Sequence, residues 1–143
     1  MKRIILFSLC IIALIISCQP EDEDNIIQDT CDQEAIIDTD LFKYDSSLVT
    51  IVNVELKQDC LHIKYSASGC DGDSWKVKLI DSEFIEESSP TQRSILLSLE
   101  NKELCLAVFS KTTSFDLSPL RIEGENEIVF HLKGWEDDIT YLY

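Results

Sequence analysis

The chain has 143 residues, of which 27 are acidic and 12 basic, and a net charge of −15 at pH 7. That balance argues against nucleic acid, which needs basic patches, and against electrostatic docking to anionic lipid headgroups. With 45 % hydrophobic residues, only 4 glycines and 3 prolines, the bulk of the chain reads as one ordered domain with its own core rather than as disorder.

The first element is a targeting segment. Lys2 and Arg3 form a basic start, and Ile4 to Ile16 is apolar apart from Ser8. A run of that length is too short to span a bilayer, which takes roughly 20 residues, but it matches the core of a signal peptide. It ends at Ile15-Ile16-Ser17-Cys18. This stretch resembles the lipobox of bacterial lipoproteins, in which aliphatic residues and a small residue precede a cysteine. The resemblance implies that residues 1–17 are a signal peptide removed in the mature protein. It also implies that Cys18 carries the lipid anchor, a diacylglycerol thioether with palmitate-type acyl chains. Each buried methylene contributes about 0.8 kcal/mol, so several chains make a durable attachment. Cys10 then leaves with the discarded peptide, together with two basic residues and no acid, so the mature chain is still more acidic.

Residues 18–40 read as the lipidated N-terminus and a tether. Glu21, Asp22, Glu23 and Asp24 repel one another and bury nothing, so this run cannot fold by itself. It is similar to the acidic tether of Bacteroidota lipoproteins, which implies transport to the outer face of the outer membrane; without that signal the domain would stay on the periplasmic face. A solvated spacer that holds the domain off the headgroups is the plainer reading. "CDQEAIID" from Cys31 is compatible with one helical turn, and no other segment competes for helix.

From residue 41 to 143 the pattern predicts an all-β domain, an antiparallel, Ig-like β-sandwich of about seven to eight strands. Val52, Val54 and Leu56 alternate with polar neighbours. So do Leu61, Ile63 and Tyr65; Trp75, Val77 and Leu79; Ile95, Leu97 and Leu99; Leu104, Leu106 and Val108; and Ile128, Phe130 and Leu132. Period two with β-branched and aromatic residues is a strand signature, and "SGCDGD", "SSPT", "LENKE", "IEGENE" and "KGWEDD" between the runs are turn chemistry. In "FDLSPL", Phe115 and Leu117 should point inward, Asp116 or Ser118 should bond nearby amides, and Pro119 should end the ladder.

Four cysteines remain beyond Cys18: Cys31, Cys60, Cys70 and Cys105. An even number in an exported chain predicts two disulfides, and three connectivities are possible. Cys60 and Cys70 sit at opposite ends of one predicted strand and should not pair with each other. The favoured connectivity is Cys70–Cys105 with Cys31–Cys60. No C-x-x-C spacing accompanies them, and His62 and His131 are isolated in the sequence, so no metal site is expected.

"YSASGC" (Tyr65–Cys70), "ELCLAVFSKTTSFDLSPLR" (Glu103–Arg121) and the closing "ITYLY" are together similar to a group of small, uncharacterised Bacteroidota lipoproteins, over roughly residues 48–143. The resemblance implies a small-residue turn ending in a cysteine that is coupled to a later cysteine, an "FDLSPL" corner and an aromatic last strand. It carries no activity.

No catalytic constellation stands out. Asp71 and Asp73 in "CDGDSW" offer two oxygens for a calcium ion, but the remaining ligands of an EF-type loop are missing and a plain turn is favoured. Glu136, Asp137 and Asp138 form another acidic loop, read as solvated. No G-x-S-x-G elbow surrounds any serine. Trp75, Trp135 and Tyr141 would make a glycan platform if they shared an exposed face, although Trp75 suits a core and Trp135 a loop cap. The expected function is therefore non-enzymatic and needs no cofactor. It is a lipid-anchored binding or accessory module of the cell envelope, held to the outer membrane through Cys18, with an envelope protein or glycan as partner and no nucleic acid. The alternatives are a protease-inhibitor-like module presenting "SEFIEESSPTQ", and a small secreted hydrolase.

Overall fold

The computed structural model describes residues 30–45, 48–86 and 88–143. The signal peptide, Cys18 and the acidic run lie outside the described residues.

The domain is an all-β sandwich. Its strands are β1 (Gln33–Glu34), β2 (Ile36–Ile37), β3 (Thr50–Lys57), β4 (Cys60–Gly69), β5 (Lys76–Glu86), β6 (Thr91–Glu100), β7 (Ala107–Asp116), β8 (Glu127–Leu132) and β9 (Ile139–Leu142). One short helix, α1, covers Thr39–Tyr44. The first sheet has the order β1-β7-β4-β3 and the second the order β2-β5-β6-β8-β9. Among the described residues the nine strands exceed the expected seven to eight because β1 and β2 are two-residue pairings that sequence periodicity cannot register.

The sheets are not purely antiparallel. The long ladders β3–β4, β4–β7, β5–β6 and β8–β9 are antiparallel, whereas β6–β8, β1–β7 and β2–β5 are parallel. A parallel β6–β8 pair requires a crossover, and the chain makes it through the first sheet by way of β7.

Alternation places the core. Leu61, Ile63 and Tyr65 of β4 meet Leu79 of β5, Ile95 and Leu97 of β6, and Ile128 and Phe130 of β8 between the sheets. Phe115 and Leu117 are buried there too, as "FDLSPL" predicts. Asp116 Oδ1 accepts from Ser118 N (2.8 Å), and Pro119 lies in a single 3-10 turn, Ser118–Leu120, that follows the last residue of β7. In β3 the expected phase is only half right. A bulge between Ile51 and Asn53 shifts the register, so Ile51 packs on the core, Val52 faces solvent, and Val54 and Leu56 turn inward again.

The sandwich begins earlier than residue 41. Residues 31–40, assigned to the tether from sequence, hold β1, β2 and the start of α1. "CDQEAIID" is extended, not helical. β1 joins the first sheet and β2 the second, with buried Ala35 between them, so the segment laces one edge of the sandwich together. The helix follows instead, where Asp38 caps it by accepting from Leu41 N (2.9 Å).

Both disulfides form. Cys31–Cys60 and Cys70–Cys105 have Cα separations of 5.5 and 4.8 Å, inside the range a disulfide requires. Cys60 opens β4, and Cys70 follows Gly69 at its other end. At about 3.3 Å per residue, a ten-residue strand holds the two bridges roughly 30 Å apart.

Candidate functional site

The two ends of β4 carry different chemistry. At the Cys31–Cys60 end, Asp59 Oδ1 accepts from Tyr141 OH (2.7 Å) and from the Arg121 guanidinium, and Arg121 Nε donates to Tyr141 OH (2.9 Å). The guanidinium also lies over the Tyr143 ring. The Tyr141 hydroxyl, donating to Asp59, holds that carboxyl below its ordinary value against the opposing effect of burial, and Arg121 adds to it. Burial, and then Asp59, push the Tyr141 hydroxyl up to about 12. Tyr141 is itself fully buried, so the network ties the last strand to the β3–β4 turn. Next to it, Asp32 crosses over β7: its Oδ2 accepts from Ser114 N and Ser114 Oγ, both at 2.8 Å.

At the Cys70–Cys105 end the loop 70–74 folds around a carboxylate. Glu103 Oε2 accepts from the backbone N–H groups of Cys70 (2.6 Å), Gly72 (3.0 Å) and Asp71 (3.3 Å), and Oε1 accepts from Ser74 Oγ (2.8 Å). Burial would raise this carboxyl, but the donors from Ser74, Gly72, Cys70 and Asp71 outweigh it and bring it to about 2. Gly72 has φ +74°, the left-handed conformation that turns the N–H groups inward. Gly69 is needed for a second reason: a Cβ there would collide with the Glu103 carboxylate and the Trp75 ring. Lys111 closes the loop from the other side, donating to Gly72 O (2.5 Å) and pairing with Asp73 (3.1 Å).

This arrangement overturns a calcium reading of "CDGDSW". The loop presents donors, not oxygens, to its centre. Asp71 Oδ1 is engaged by Asp73 N (2.8 Å) and Asp73 by Lys111. Among the described residues no group of three metal-ligating side chains comes together. His131 is not isolated in space. Its ring lies between Gln92 (2.9 Å) and Asp138 (2.9 Å), so one member of the acidic loop 136–138 is engaged. The aromatic platform does not assemble: Tyr141 is inside, and Trp75 and Trp135 are half-buried against the core.

The feature that sequence misassigns is the row Leu104, Leu106 and Val108. Its period-two pattern predicts a core-facing strand. The structure exposes all three, at 93 %, 90 % and 70 %. Leu104 and Leu106 precede β7, which begins only at Ala107. They and Leu41, Tyr44, Leu48 and Leu99 line an open groove of about 800 Å³ between α1 and the β6–β7 connection. The connection is held rigid from below. Cys105 is bridged to Cys70, Glu103 is clasped, and Asn101 accepts from Glu103 N (2.9 Å) while donating to Ser68 O (2.7 Å). A covalently and electrostatically fixed loop that presents exposed aliphatics is a built surface, since large exposed apolar patches mark interaction sites. Exposed Phe84 and Ile85 lie elsewhere, on the β5–β6 hairpin, where the segment expected to project as a loop is largely strand.

Neither a family model nor a curated protein matches the chain. Two solved structures are similar to it, both from Bacteroidales. One is a protein of unknown function, DUF1344, from Bacteroides vulgatus ATCC 8482, at 15% identity and TM-score 0.51 over 78% of this chain. The other is a protein described as toxin-related from Parabacteroides distasonis ATCC 8503, at 15% identity and TM-score 0.50 over 78% of this chain. The chain spans 56% and 60% of their respective lengths. At that identity the likeness is one of fold.

Proposed function

We propose that the chain is a lipid-anchored, non-enzymatic binding or accessory module of the bacterial cell envelope, attached through Cys18 and engaging a protein partner at the Cys70–Cys105 end. The observation that carries the binding role is the exposure of Leu104 and Leu106 on a loop fixed by a disulfide and the Glu103 clasp, with exposed Val108 beside them at the start of β7. Geometry supports the orientation. Thr30, the first described residue, lies beside Gln58, Asp59, Asp116 and Ser118 at the Cys31–Cys60 end. A tether running from Cys18 to Thr30 therefore meets the domain roughly 30 Å from the groove, which would face away from the membrane. The hydrolase alternative has no observation behind it among the described residues. The inhibitor alternative has one, the exposed Phe84 on the β5–β6 hairpin, and inhibition of a protease panel abolished by Phe84→Ala would establish it.

Two measurements test the main reading. Labelling with a palmitate analogue should be lost in Cys18→Ser, and unchanged labelling ends the lipoprotein reading. Affinity purification from native membranes should recover proteins with the wild type that are lost with Leu104→Asp plus Leu106→Asp. Recovery of the same proteins in the same amounts ends the groove reading.

A further inference from the structure

We propose that β7 takes an extended segment of a partner protein as an added strand, continuing the first sheet beyond β7. This rests on the proposed binding role for the existence of a partner and specifies how that partner is held.

The argument starts from pairing. β4 pairs with β7 along its whole length, from Cys60↔Asp116 to Gly69↔Ala107. On its other side β7 pairs with β1 only at Phe115 and Asp116. The Ser114 N–H points to that second side, because it donates to Asp32 Oδ2. Backbone groups alternate along a strand, so the N–H and C=O groups of Val108, Ser110 and Thr112 face the same way. Among the described residues no strand pairs with them. An open row of this kind is a template for another strand.

The other edges are protected. β3 carries its bulge at Ile51/Asn53 together with Glu55 and Lys57, β9 has only four residues, and β5, covered by β2 only at Ile80 and Asp81, carries Lys76 and Lys78 and a register shift between Asp81 and Ile85. The open part of β7 has no bulge, and its one charge, Lys111, is drawn to Gly72 O and Asp73. Its chemistry also differs from the rest of the molecule. From Leu104 to Phe115 there is no acidic residue and one cation, Lys111, in a chain of net charge −15. The surface suits a segment with alternating aliphatic side chains and no acids, and the surrounding negative field favours a neutral or basic one.

Two other occupants fit less well. At Thr30 and Cys31, where the described residues begin, the chain stands off the open row. Cys31 is bridged to Cys60 on β4, which lies on the far side of β7, and Thr30 sits beside Gln58 and Asp59. A second copy would have to pair β7 with β7 antiparallel about a two-fold axis. That would set the two tethers at opposite ends of the dimer and bring two strongly acidic chains together.

The test uses the full chain expressed in its native envelope with a photo-crosslinking amino acid at 108, 110 or 112, and at 140 on β9 as control. The expected result is crosslinks from 108, 110 and 112 to positions two residues apart, in order, on one segment of one other protein, and none from 140. Ser110→Pro removes only an N–H that faces the open side. It should lower that protein's recovery about tenfold, the equivalent of one or two backbone hydrogen bonds. Should this variant unfold, Val108→Lys, which blocks the row without touching the backbone, should act likewise. If Leu104→Asp plus Leu106→Asp abolishes recovery while Val108→Lys and a folded Ser110→Pro leave it unchanged, the groove binds and strand addition is wrong. If none of these variants alters recovery, both readings fail. Crosslinks to another copy, or to residues 19–29 of the same chain, overturn the proposal in favour of those occupants.

Discussion

The two ends of the sandwich use the same covalent device for opposite purposes. At the Cys31–Cys60 end the bridge is buried at Cys60 and joins the Asp59–Tyr141–Arg121 network, so covalent, polar and apolar interactions all secure the fold. At the other end Cys70 and Cys105 are both exposed, and the bridge with the Glu103 clasp holds up a loop whose leucines stand in solvent. Where a disulfide lies against the core it replaces missing packing. Where it lies under an exposed apolar loop it preserves a surface that hydrophobic burial would otherwise collapse. Local rigidity and local burial therefore separate in this protein, and a rigid segment without burial is where to look for recognition.

The largest effect should come from removing the buried bridge. Cys31→Ala with Cys60→Ala should cost about 4–5 kcal/mol, combining chain entropy with lost packing at Cys60 and the release of β1. Cys70→Ala with Cys105→Ala should cost about 3–4 kcal/mol from chain entropy alone. Urea titration measures both. The sequence separations are 29 and 35, so loop entropy by itself predicts the reverse order, and that result would erase the contrast between the two ends.

Next in size, Tyr141→Phe should lower stability by about 1–2 kcal/mol, because Asp59 and Arg121 lose a shared partner at a buried hydroxyl. Smaller still is the clasp. The Glu103 carboxyl titrates at about 2 in the fold, below its ordinary 4.5, so it stabilises the ionised, folded form. That contribution is fully present above about 4.5 and is lost as pH falls toward about 2. Glu103→Gln should therefore be less stable than wild type at pH 7, with the difference shrinking across that window in paired thermal melts. A difference that is constant with pH would remove the ion from the explanation. The smallest effect is expected for Leu104→Asp plus Leu106→Asp, within about 0.5 kcal/mol of wild type, since neither side chain packs on the core. A larger loss would mean the leucines stabilise the fold and are not held out for a partner.

Much of the fold was legible. The runs around Leu61, Leu79, Leu97 and Phe130 alternate cleanly because each of these strands has one face on the core, and the length of β4 keeps Cys60 from Cys70, which removes one of the three possible cysteine pairings. What was not legible has specific causes. β1 and β2 are too short for any period to show, and Asp38, the cap that starts α1, looks like another acid in an acidic stretch. The β3 bulge shifts phase without leaving a glycine or proline to announce it. Asp81 and Arg93, in contact at 2.6 Å with side chains only 0 % and 4 % exposed, lie on strands whose pairing brings distant charges together; nothing near either residue in the chain marks it.

The amino-acid order was enough for the class of structure: strands, turns, a framework of paired cysteines and an acidic surface. These follow from periodicity, composition and spacing, which act over a few residues. Which apolar rows became core was settled at the tertiary level. Ile95, Leu97 and Leu99 share one alternating pattern with Leu104, Leu106 and Val108, yet the first three are buried and the others exposed. The difference lies in what stands opposite. β6 has a second sheet across from it, while the chain from Leu104 to Val108 has loop and open edge. Burial therefore rewards the first row and offers nothing to the second. What holds the second row in place comes from Glu103 and Cys105, whose partners lie 29 to 35 residues away in the chain, beyond the reach of any local pattern.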